Sequence, residues 1–131
     1  YPQAELVISL LDARMGEIYW SAMQFSLSAI SPIAEPRLDA IEAVNDQLKH
    51  LISQNTAQSA LIVGAAAELL DCSTLRHLGA EVDMAIVPSA TTMAHLAVAK
   101  WQAGGSCLPQ DFQLDYLRNS VSWNKRQRIR S

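Results

Sequence analysis

Apolar and polar positions along this chain follow two rhythms, and the switch from one to the other marks its elements. Glu5 to Leu11 (ELVISLL) is a nearly continuous apolar run, which suits a central strand covered on both faces and does not suit an edge. Ala13 to Gly16 form a charged stretch ending in a glycine able to take positive φ, which predicts a type I turn closed by a bulge, and so a hairpin. Glu17 to Leu27 alternates, with Tyr19, Met23, Phe25 and Leu27 on one face and Ile18, Trp20 and Ala22 on the other. Ser31-Pro32 interrupts the pattern before Ile33 to Leu38. Pro36 lacks the donor a central strand requires, so this third strand of a meander belongs at an edge.

From Asp39 the period lengthens. Asp39 can cap a helix, with Glu42 completing a capping box, and Ile41, Val44, Leu48, Leu51 and Ile52 recur at spacings of three and four as one apolar stripe. Ala60 to Val63 reads as a short buried strand ended by Gly64, and Ala65 to Leu78 as one or two short helices. Val82, Met84 and Ile86 alternate up to Pro88, which predicts a fifth strand. Ser89 opens a second long helix carrying Met93, Leu96, Ala97 and Trp101 on one side and stopped by Gly104-Gly105. A meander followed by helix, strand, helix, strand, helix is the order of an α/β, ribonuclease H-like domain. Right-handed crossovers set strands four and five parallel to the first and helices on both faces, giving a mixed five-stranded sheet of order 3-2-1-4-5.

Composition narrows the classes. With 131 residues, 50% of them hydrophobic and 18% charged, the chain has enough apolar material for one core and too much for a disordered segment. No run approaches the roughly 20 apolar residues of a membrane span and no basic-then-apolar leader is present, so the expectation is a cytoplasmic protein without membrane contact. Cys72 and Cys107 stand in no paired spacing, and His50, His77 and His95 form no metal-binding motif, so no metal or redox site is expected. Asp111 and Asp115 flank Phe112 without a nucleophile or histidine nearby and are read as surface acids. Trp20, Trp101 and Trp123 are read as core or half-buried anchors. Residues 118–131 hold five of the ten basic residues and no acid, which leaves a net charge of −8 on the remainder. Residues 1–123 are read as the domain and residues 124–131 as a basic tail, in which Lys125, Arg126, Arg128 and Arg130 could meet tRNA beside Trp123.

Two segments at opposite ends carry a more specific signal. Asp12-Ala13-Arg14-Met15-Gly16-Glu17-Ile18-Tyr19-Trp20 and Tyr116-Leu117-Arg118-Asn119-Ser120-Val121-Ser122-Trp123 resemble, in order and spacing, two motifs in the second domain of the bacterial TsaB (YeaZ) family. Asp12, Arg14, Gly16, Glu17, Tyr19, Trp20, Tyr116, Leu117, Arg118 and Trp123 match the motif positions. The match falters in two places. Gln113-Leu114-Asp115 stands where the family usually has a proline before Tyr-Leu-Arg, and Val63-Gly64-Ala65-Ala66 keeps one glycine of a Val-Gly-x-Gly turn. In nucleotide-binding relatives that glycine pair lets backbone N–H groups approach the nucleotide, so nucleotide binding by this half is not expected.

The resemblance implies the second half of a two-domain protein whose N-terminal half is absent, with Tyr1 opening directly on a strand. It implies a non-catalytic scaffold for N6-threonylcarbamoyladenosine formation at position 37 of tRNA. Such a scaffold acts through the catalytic paralogue TsaD and the ATPase TsaE, mainly by way of the absent domain, and forms homodimers when TsaD is lacking. No catalytic residue, cofactor or metal ligand is expected here, and no D-N-G turn of the kind that supplies a late metal ligand in catalytic relatives is present. The alternative is a glycoprotease-like metallopeptidase or an ATP-dependent transferase of the same superfamily. Asp12 and Arg14 allow two readings: a polar site in an interdomain cleft, or a carboxylate accepting turn N–H groups while Arg14 pairs with Glu17 or a distant acid.

Overall fold

The computed structural model describes residues 1–26, 29–54, 59–114 and 116–118. Three strands, β1 (Ala4–Arg14), β2 (Glu17–Phe25) and β3 (Ile30–Ala40), form an antiparallel meander. Helix α1 (Ile41–Gln54) crosses to β4 (Ser59–Val63), and a 3₁₀ turn (Ala65–Leu69) with α2 (Cys72–His77) leads to β5 (Ala80–Asp83). β4 pairs parallel to β1, and β5 parallel to β4, so the sheet has the order β3-β2-β1-β4-β5. Helix α3 (Ala90–Gln102) and a 3₁₀ turn (Pro109–Asp111) complete the described chain.

The central position expected for the first apolar run is borne out, and the two-residue side-chain period explains the rest of the core. Leu6, Ile8 and Leu10 of β1 point to the same face as Ile18, Trp20 and Ala22 of β2 and Ala60 and Ile62 of β4. Against that face α1 sets Val44, Leu48 and Ile52, and the segment after β4 adds Ala66, Ala67, Leu70 and Leu75. Asn45 Oδ1 accepts from the Asp71 N–H at 2.9 Å, which ties α1 to the start of α2.

Four local expectations need correction. Asp39 does not cap α1: it lies within β3 and its carboxylate is taken by Trp20 and Arg37. The helix starts straight from the strand, with the Ile41 N–H donating to the Gly16 carbonyl at 3.1 Å. Ser31-Pro32 does not interrupt β3, because an edge strand with register shifts tolerates a missing donor. β5 ends at Asp83, three residues before the predicted alternation does at Ile86, because the Asp83 carboxylate accepts from the Ala85 N–H at 2.9 Å and turns the chain out of the sheet. Trp101 is not an anchor within the described residues: it is 68% exposed, and α3 buries none of its side chains although Ser89 caps it as expected.

Helix α2 depends on a cap the apolar pattern does not reveal. Asp71 accepts from the Thr74 N–H and from the Thr74 and Ser73 hydroxyls, and these bonds hold its carboxyl down to about 2 from an ordinary 3.8. Asp83 is also lowered, first by the Tyr1 hydroxyl donating to it at 2.7 Å. A depressed folded-state pKa contributes stability that is complete above the unfolded value and lost as pH falls through the folded one. Denaturant midpoints should therefore drop between about pH 4 and pH 2. In Asp71→Asn, which keeps a capping oxygen without the proton equilibrium, the drop should be shallower; equal slopes in the two proteins would remove Asp71 from the account.

Candidate functional site

The β1–β2 hairpin is built from backbone that few side chains favour. Arg14 pairs with Glu17 across a two-residue connection, and Arg14, Met15 and Gly16 have φ of 65°, 58° and 78°. Positive φ at both connecting residues is the geometry of a type I′ turn, not the type I turn and bulge predicted from the glycine. A register shift between Asp12 and Arg14 absorbs Ala13. Two consecutive left-handed non-glycine residues cost about 1–2 kcal/mol each, so other contacts have to hold the turn.

Asp12 supplies one of them, with Oδ1 accepting from the Arg14 N–H at 2.7 Å and Oδ2 standing 3.3 Å from Arg14 Nη1. Their side chains are 39% and 87% exposed, so the ion pair itself contributes little. The stronger hold comes from the other end of the chain. Arg118 Nη2 donates to the Ala13 carbonyl at 2.8 Å and meets Glu17 Oε2 at 2.6 Å, with Met15 Sδ at 3.3 Å from Nη1. The Arg118 side chain is only 16% exposed, so this pair is far better shielded than Asp12–Arg14. Glu17 is thus claimed by Arg118 and not by Arg14, a pairing across more than a hundred residues that no local pattern in the sequence signals.

Trp20 and Tyr19 point to opposite faces of β2. Trp20, 3% exposed, donates from Nε1 to Asp39 Oδ2 at 2.9 Å, Arg37 Nε meets the same oxygen at 2.8 Å, and the Arg37 guanidinium lies 5.5 Å from the Trp20 ring centre. Tyr19, with Ser9, Leu11, Ser21 and Val63, floors a groove of about 590 Å³ on the second face of the sheet. Ile86 to Pro88 form one wall and Tyr116 to Arg118 another. The lining is mostly apolar carbon, and the Ser9 and Ser21 hydroxyls, 2.8 Å apart, satisfy each other.

Gly64 closes the end of the groove next to β4. It has φ of 111°, and a Cβ there would lie 2.1 Å from the Leu10 carbonyl oxygen. The close approach that a glycine permits is therefore used by β1. Among the described residues no three His, Cys, Asp or Glu side chains are grouped so as to hold a metal ion, and no helix is long and apolar enough to cross a membrane. Trp123, Lys125, Arg126, Arg128 and Arg130, together with Asp115, lie outside the described residues.

This strand order, with its meander and two parallel crossovers, defines an α/β domain of the ribonuclease H-like type. More narrowly, the fold is that of YeaZ. The chain superposes with a TM-score of 0.62 and 22% identity on a Pseudomonas aeruginosa crystal structure described as an uncharacterized protein with similarity to peptidase YeaZ, over 88% of this chain and 50% of that one. It matches a structure of YeaZ from the same organism with a TM-score of 0.53 and 23% identity, over 78% of this chain and 45% of that one. The chain thus spans about half the length of the solved structures it matches. No family model and no curated protein matches it.

Proposed function

We propose that this chain is the second domain of a TsaB-type protein, a non-catalytic scaffold for N6-threonylcarbamoyladenosine formation at position 37 of tRNA that works through TsaD and TsaE. The observation that carries the reading is the internal use of both groups a nucleotide-binding relative would offer. The Gly64 approach is filled by the Leu10 carbonyl, and the Asp12 carboxylate is bound by its own turn. A glycine packed against the central strand and a carboxylate engaged by its own turn support a structural use of both positions over the binding of phosphate or metal. The YeaZ-like fold supports the reading at the level of architecture.

The test is deletion of the gene encoding this chain, followed by mass spectrometry of digested tRNA nucleosides. The modified adenosine should disappear, and both the wild-type gene and its Asp12→Asn variant should restore it. Unchanged modification after deletion would refute the proposal. A folded Asp12→Asn protein that fails to restore it would favour the enzymatic alternative.

A further inference from the structure

We infer that the β1–β2 turn is a two-state element and that Arg118 is the residue that switches it. The local sequence favours one conformation and the fold holds another. With Gly16 as its one glycine, the stretch Ala13 to Gly16 suits a type I turn closed by a bulge, in which Ala13 faces Glu17 and only the glycine is left-handed. In the structure Arg14 faces Glu17 instead, Ala13 is left over at the register shift, and Arg14 and Met15 carry φ of 65° and 58°. Left-handed backbone at an arginine and a methionine persists only where the surroundings over-determine it.

The contacts of Arg118 discriminate between the two turns. Its guanidinium donates to the Ala13 carbonyl at 2.8 Å and meets Glu17 Oε2 at 2.6 Å. The Ala13 carbonyl is open to it because Ala13 has been squeezed out of the β1–β2 pairing; in the bulged turn that residue rejoins the ladder opposite Glu17 and the arginine loses an acceptor. A group that bonds one of two conformations better shifts the balance toward it, and its withdrawal shifts the balance back. Tyr116 is 75% and Leu117 37% exposed against 16% for the Arg118 side chain, so of these three residues the arginine is the one embedded in the fold. The effect does not stop at the turn. The Gly16 carbonyl accepts at 3.1 Å from the N–H of Ile41, the first residue of α1. Re-forming the turn redirects the Gly16 peptide, so withdrawal of Arg118 is felt at the start of the helix that sets Val44, Leu48 and Ile52 against the sheet. Strap, turn and helix start form one coupled unit, which stands or falls apart from the tRNA-modification reading.

Nuclear magnetic resonance of the isotope-labelled 131-residue chain decides it, because a strong cross-peak between a residue's own amide and Hα protons marks positive φ. Arg14 and Met15 should show such cross-peaks in the wild-type protein and lose most of their intensity in Arg118→Ala, where exchange of the Ile41 amide should also speed up by roughly tenfold. Glu17→Gln weakens the clamp while leaving the arginine in place, and should move both readouts in the same direction by less; it carries the test if Arg118→Ala fails to fold. Met15→Gly in the Arg118→Ala background separates a switch from a contact that merely stabilises. A glycine makes the left-handed turn locally favourable, so the Arg14 cross-peak and the slow Ile41 exchange should return without the arginine. Unchanged cross-peaks in Arg118→Ala and Glu17→Gln would overturn the inference, as would a double variant that stays relaxed.

Discussion

Replacing Gly64 by alanine is expected to cost about 3–5 kcal/mol, a large part of the total stability of a domain this size. Two penalties combine. A φ of 111° is one that side chains rarely adopt, and the new Cβ would sit 2.1 Å from the Leu10 carbonyl oxygen, a backbone atom of the central strand that cannot step aside. Thermal melting of Gly64→Ala should fall by roughly 10 °C or more. Gly79→Ala is the control, because Gly79 has a φ of 96° with nothing within 4 Å of its would-be Cβ and should suffer only the conformational penalty. Equal losses at the two sites would mean that the contact with β1 has no weight of its own.

The second large effect belongs to Trp20. Truncation to alanine empties a fully packed site against α1 and strips Asp39 of a donor, for about 3–5 kcal/mol. Trp20→Phe separates the two parts: the ring stays and the indole N–H goes, so about 1–2 kcal/mol should be lost, because a partly buried carboxylate is left with Arg37 alone. Urea denaturation of Trp20→Phe, Asp39→Ala and the double variant forms a cycle. The double variant should lose less than the two single losses added together, and strict additivity would show that the Trp20–Asp39 bond contributes nothing.

Elements whose apolar period matched their final burial were the legible ones. The run at Glu5 to Leu11 marked a central strand, the stripe at Val44, Leu48 and Ile52 marked the helix beneath the sheet, and Pro36 marked the edge, from which the order 3-2-1-4-5 follows. Side chains whose role is set by a distant partner were not legible. Asp39 has every local credential of a cap, but Trp20 reaches it across the β2–β3 ladder and Arg37 meets the same oxygen from two residues earlier on β3. The Met15-Gly16 connection looked like the commoner turn because a single glycine was visible and the left-handed Arg14 and Met15 were not. The joining of Ala13 and Glu17 to Arg118 links residues more than a hundred positions apart, a contact made by the tertiary fold and not by any local pattern. Trp101 was misread because an apolar helix face is visible in the sequence while its packing is not, and α3 buries none of its side chains among the described residues.

The sheet order also has a consequence for synthesis on the ribosome. β1 emerges first but is flanked in the finished sheet by β2 and β4, so the nascent meander can zip together while the far side of β1 still offers its N–H and C=O groups to any passing strand. That exposed edge persists until residues 59–63 leave the exit tunnel, by which time α1 has already been made. The interval between those two events is when this polypeptide is most open to mispairing, and when a holding chaperone would serve it best.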